Sequence, residues 1–149
     1  MFERLRSAGF EIAFQSHAEA ILRGDFPTVA DELEAILLGA TIPIEKIIAG
    51  GGGEAKGTQR LRKALAAADW PKMTFVVEKI INGVRREAQS HEVDHVHTAA
   101  SGARIALEIE WNNKDPFFDR DLENFKRLHA DGAISVGVIV TRGRSLHDG

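Results

Sequence analysis

A length of 149 residues with 44% hydrophobic and 28% charged side chains predicts one soluble globular domain, 1–149, and excludes a disordered or fibrous chain. Cysteine is absent, which removes disulfide scaffolds, thiolate metal sites and cysteine nucleophiles. No apolar run approaches the ~20 residues of a membrane span, and no apolar leader follows Met1, so the expected location is cytoplasmic. The net charge of −3 conceals an asymmetry: residues 1–54 carry four basic against nine acidic residues, and 55–149 fifteen against thirteen. The second half is therefore the one expected to meet phosphate.

In chain order, Phe10, Ile12 and Phe14 alternate with Glu11 and Ala13, which predicts a short strand, and Ser16-His17-Ala18-Glu19 reads as a capping box opening a helix to about Arg23. Pro27 to Asp31 starts a second helix, with Leu33, Ile36, Leu37 and Ala40 as its apolar stripe. Gly50 to Gly53 predicts a loop acting as a hinge, and the following Glu54-Ala55-Lys56-Gly57-Thr58 lacks the Gly-Lys-Ser/Thr ending of a phosphate-binding loop. The N-terminal region, 1–53, thus precedes a denser core, 54–144.

Leu61, Ala64, Leu65 and Ala68 mark an amphipathic helix over Thr58 to Ala68. Strands are predicted at Thr74 to Ile81, Glu92 to His97 and Ala103 to Trp111, with Gly102 at the turn between the last two. Phe118, Leu122, Phe125 and Leu128 or His129 trace a further helix, and Ile134, Val136, Val138 and Val140 alternate along a final strand. The order α-β-β-β-α-β predicts an α/β fold, a mixed central β-sheet flanked by helices.

The chemistry concentrates on the third of these strands. Alternation turns Ile105, Leu107 and Ile109 one way and Glu108 and Glu110 the other. A Glu-x-Glu pair on a strand is commonly a solvated face. Asp94, fourteen residues before Glu108 on the preceding strand of a hairpin, brings a third carboxylate beside it. Like charges so close resist joint ionisation unless a cation joins them, and carboxylate oxygens suit Mg²⁺. The implied reaction is metal-assisted phosphodiester hydrolysis, with Glu110 taking a proton from the attacking water. Glu78 on the first strand is a possible additional acid, or a surface partner of Lys79.

An acid on the second strand and acid-x-acid on the third is similar to the core of the PD-(D/E)XK nucleases. Gly51-Gly52-Gly53 with Gln59-Arg60, His91-Glu92-Val93-Asp94, the run Leu107 to Leu122 containing Trp111-Asn112-Asn113-Lys114-Asp115-Pro116-Phe117-Phe118, and Ile139-Val140-Thr141-Arg142-Gly143 together resemble the type II restriction endonucleases of the BglII and BstYI group. The resemblance spans roughly Phe10 to Arg144. It implies a Mg²⁺-dependent homodimer cutting double-stranded DNA at a short GATC-containing palindrome. Asp94 and Glu108 would be metal ligands, helped by the Ile109 carbonyl, and Glu110 would stand where most of the superfamily has lysine. Asn112, Asn113 and Lys114, with Arg142 and Arg144 after the last strand, carry donors suited to base edges or phosphates. The group continues past the last core strand, so a C-terminal extension is expected to be absent here.

Two other readings compete. His91-Glu92-Val93-Asp94-His95 spells the His-Glu-x-x-His of zinc metalloproteases, which requires a helix, whereas Val93, Val96 and Thr98 favour a strand. The other is a catalytically inactive DNA-binding module of the same fold.

Overall fold

Helices open the chain, and their apolar residues, Leu5, Leu22, Ala30 and Leu33 among them, turn inward. In the computed structural model, which describes residues 1–40, 51–110 and 115–141 (51–56 and 115–119 by backbone alone), these helices are α1 (Glu3–Ser7), α2 (Ala18–Asp25) and α3 (Pro27–Gly39). Pro27 occupies the first turn of α3, where its missing N–H costs nothing. Glu34 on the buried side of α3 is held by Arg4 at 3.0 Å.

Two expectations fail here. Residues 10–14 form no strand, since an isolated alternating pentapeptide has no neighbour for its backbone hydrogen bonds; instead Phe14 stacks on Phe2, ring centroids 6.1 Å apart. The capping box does not close either. Ser16 takes a φ of 53°, α2 has no side-chain cap, and Glu19 pairs with Arg23 at 2.8 Å.

The glycine run is also not a loop or hinge: α4 spans Gly51–Ala67. Each helical glycine costs about 1 kcal/mol relative to alanine. Propagation adds a hydrogen bond per residue fixed, and the good helix formers at 59–67 carry the helix back through 51–53.

β1 (Met73–Ile81) and β2 (Val84–Val93) form an antiparallel ribbon closed by Asn82-Gly83, both at positive φ (51° and 79°), the conformation a two-residue hairpin requires. β3 (His95–Thr98) runs antiparallel to β4 (Arg104–Glu110), which is parallel to β5 (Val136–Thr141). The mixed α/β class is as expected. The single strand predicted over Glu92 to His97 is broken at Asp94 into the end of β2 and the start of β3. The described strands accordingly make a two-stranded and a three-stranded sheet.

α5 (Asp115–Ala130) is the crossover from β4 to β5. It approaches so closely that a Cβ on Gly137 would lie 2.5 Å from the Phe125 ring. Alternation along β4 then divides the interior. Ile105, Leu107 and Ile109 pack with Leu65, Trp70 and Leu33 from the helical side. Ala106 joins Val93, Val96, Phe125 and Leu128 on the α5 side. Glu108 and Glu110 follow Ala106 in register, so the fold points both carboxylates toward α5.

Candidate active site

The α5 side of β4 opens into a cleft of about 290 Å³ lined by Asp94, Glu108, Glu110 and Asp121, with His91 and Asn124 among its other walls. Those four acids come from three structural contexts, the β2–β3 break, β4 and α5, and share one depression. Asp94 arrives through the break between β2 and β3, which frees its backbone N–H from the ladder. That N–H donates to Glu108 Oε1 at 3.3 Å.

The Asp94 carboxylate is tied from the other side by Arg62 of α4, whose Nη1 donates to Oδ2 at 3.2 Å. The same nitrogen lies 3.2 Å from His95 Nε2, and His95 Nδ1 lies 3.3 Å from the Trp70 carbonyl oxygen. A carbonyl only accepts and a guanidinium only donates, so Nδ1 carries the proton and Nε2 accepts from Arg62. Burial pushes the His95 imidazole below its ordinary range, the direction this neutral tautomer requires, against the opposing Trp70 hydrogen bond.

Electrostatics strain the acids. Burial, then the charge of Asp94, pushes Glu108 up to about 8, while the Asp94 N–H opposes the shift. Asp121 rises to about 7, first through burial and next through its hydrogen bond with, and the charge of, Glu110. Asp121 is 8% exposed, and its Oδ2 has no hydrogen-bond partner.

Among the described residues no three His, Asp or Glu side chains form a ready-made metal cluster. The acids instead stand as two facing pairs, Asp94 with Glu108 and Glu110 with Asp121. That arrangement fits a hard cation of the Mg²⁺ type, which takes one or two carboxylates and keeps water and substrate oxygens for its other positions. The unpartnered Asp121 oxygen and the raised Glu108 suit the binding of such a cation.

The other sequence-predicted residues fall as follows. Ile109 lies between the two glutamates with its side chain in the opposite core. Glu78 does not join the acids: it is exposed on the ribbon, 3.4 Å from Arg85. Asn112, Asn113, Lys114, Arg142 and Arg144 lie outside the described residues. The zinc-protease pattern fails on geometry, because His91 is on β2 and His95 on β3 instead of one helical turn apart, and His95 is engaged by Trp70 and Arg62.

Sequence reasoning missed Asp121 and Arg62. For Asp121 a signal existed, since it precedes Phe125 and Leu128 by four and seven residues and so belongs to the buried stripe of α5. Arg62 gave none, being one of several basic residues on an amphipathic helix.

A mixed sheet whose parallel pair is bridged by a helix, with acids converging on the strand that precedes that helix, has the architecture of the restriction-endonuclease-like fold. The family model for restriction endonuclease BglII/BglIII matches residues 10–149, and the chain belongs to that family of type II restriction endonucleases. It is thus a site-specific deoxyribonuclease, a hydrolase acting on DNA, in a family that generally uses a divalent metal. No curated protein and no solved structure gives a match. No helix among the described residues is long and apolar enough to cross a membrane.

Proposed function

We propose that this restriction endonuclease is Mg²⁺-dependent and cuts duplex DNA within a short GATC-containing palindrome, leaving 5′-phosphate and 3′-hydroxyl ends. The observation that carries the metal and catalytic assignment is the placement of Asp94, Glu108 and Glu110 in one cleft on the same side of β4. The GATC core rests on the sequence resemblance running roughly from Phe10 to Arg144.

Asp94 and Glu108, with the Ile109 carbonyl, are the residues that would hold the ion. Bound there, a divalent cation supplies polarisation of the scissile phosphate and acidification of water. The chain's own residues do the rest. Arg62 donates to Asp94 Oδ2 and keeps that carboxylate aimed. The Asp94 N–H fixes Glu108 Oε1. Glu110, next on the same face, accepts the proton of the attacking water on a carboxylate oxygen. Glutamate here brings no positive charge to the pentacovalent phosphate, so that stabilisation falls on the ion and on basic residues facing the DNA.

Asn112, Asn113 and Lys114, directly after the catalytic strand, and Arg142 and Arg144, directly after β5, are the proposed DNA contacts. In the sequence they follow β4 and β5, which are parallel neighbours. A palindromic site calls for twofold symmetry in its reader, so the working unit is a homodimer of one-domain protomers, with the acidic N-terminal helices available for contact. The enzyme would act in the cytoplasm.

The test is digestion of GATC-containing plasmid with and without Mg²⁺ and chelator, followed by end mapping, beside Glu108→Ala. Cleavage at GATC sites that needs Mg²⁺ and disappears in the variant is expected. Cutting that survives chelator, or survives the loss of Glu108, defeats the proposal.

A further inference from the structure

Glu110 is not alone beside the Asp94 and Glu108 pair. One strand repeat further along β4 it meets Asp121, which reaches it from the inner face of α5. Only 8% of Asp121 is exposed, its Oδ2 has no hydrogen-bond partner, and it lines the cleft. The stripe it occupies continues with Phe125 and Leu128, both buried. An apolar residue at 121 would extend that stripe, yet the chain carries there a carboxylate facing a second carboxylate.

Two carboxylates facing each other with a buried oxygen unsatisfied are poorly accommodated by protein alone, because desolvation and mutual repulsion act together. A hard divalent cation answers both, taking one oxygen from each and completing its shell with water from the open side of the cleft. We propose that Glu110 and Asp121 form a second divalent-cation site, beside the one assigned to Asp94 and Glu108. This deepens the proposed Mg²⁺-dependent function and rests on it. Asp121 would thereby be a metal-ligating residue of the enzyme, and the ion it shares with Glu110 would help hold that carboxylate in place.

Mn²⁺ titration of the DNA-free protein, followed by the electron paramagnetic resonance of the free ion, tests this without using cleavage. Two Mn²⁺ per chain are expected for the unaltered protein. One is expected in Asp121→Asn, one in Glu110→Gln and one in Glu108→Gln. Asparagine and glutamine keep size and hydrogen bonding, so a merely structural role at 121 leaves the count unchanged. Should Asp121→Asn fail to fold by circular dichroism, Glu110→Gln reads the same site without altering the buried helix face. A single Mn²⁺ that survives Asp121→Asn and Glu110→Gln but not Glu108→Gln overturns the second site and leaves the proposed function standing. Two Mn²⁺ retained in both variants also overturns it. An unaltered protein that binds none overturns both readings.

Discussion

Glu108→Gln should make the metal-free protein more stable in alkaline solution while removing its activity. The carboxyl is raised from its ordinary 4.5 to about 8 by burial and by the Asp94 charge. A folded-state value above the unfolded one contributes stability that is complete below about 4.5 and is lost as pH rises to about 8, because across that window the folded chain binds the extra proton. At full value such a displacement corresponds to roughly 5 kcal/mol. Solvent reaches part of the cleft, and screening reduces the expected effect to about 1–2 kcal/mol. Glutamine can still accept the Asp94 N–H, so the variant loses the charge and little else. Urea denaturation with chelator at pH 5 and pH 9 measures it: the two proteins should lie close at the lower pH and separate by that amount at the higher. Asp121, raised to about 7, has the same sign, so the variant keeps a shallower decline. A Glu108→Gln protein that loses stability with pH as steeply as the parent would refute the reasoning, because the acid would then carry no ionisation cost in the fold.

Two further outcomes follow from packing and from the ribbon. Gly137→Ala puts a Cβ 2.5 Å from the Phe125 ring, and the required shift of α5 against β5 should cost about 1–3 kcal/mol in chemical denaturation; a change under about 0.5 kcal/mol would mean the helix moves freely. Glu78→Ala should leave the rate of DNA cleavage within about twofold, since its partner is Arg85 on the exposed ribbon, and under 0.5 kcal/mol is expected for loss of a surface pair. A tenfold loss of rate in a single-turnover assay would return Glu78 to the site.

What could be read from the sequence depended on whether burial left a period behind. Ile105, Leu107 and Ile109 are all buried, so the face of Glu108 and Glu110 followed from alternation alone. β2 left no such trace: residues 84–90 are exposed on both faces, and with no buried side the strand has no hydrophobic period. The signal it did leave was the turn, Asn82-Gly83, whose positive φ values set the first pairs, Ile81 with Val84 and Ile80 with Arg85, before a bulge at Lys79–Ile80 shifts the register of the rest. The helix over Gly51 to Gly53 stayed hidden for a different reason, since glycine argues locally against a helix and only propagation from downstream overrules it. Asn112 to Lys114 and Arg142 and Arg144, read as DNA contacts, lie outside the described residues.

The acids also explain one another's positions. Asp94 reaches Glu108 only because the strand pairing breaks at 94, and a continuous ladder would have committed its N–H to a neighbouring strand instead of to Glu108 Oε1. Asp121 meets Glu110 only because α5 lies close on the sheet, an approach that Gly137 permits by having no Cβ. Each carboxylate pair thus depends on a backbone exception, one a broken strand and the other a bare glycine. Arg62 donates a hydrogen bond to Asp94, and the charge of Arg120 beside Asp121 partly offsets the acids at the other end of the cleft. Burial without matching charge is costly to the fold in the metal-free state, so stability and catalysis pull in opposite directions here. Neutralising Glu108 should relieve the first while ending the second, which a merely solvated Glu-x-Glu face would not do.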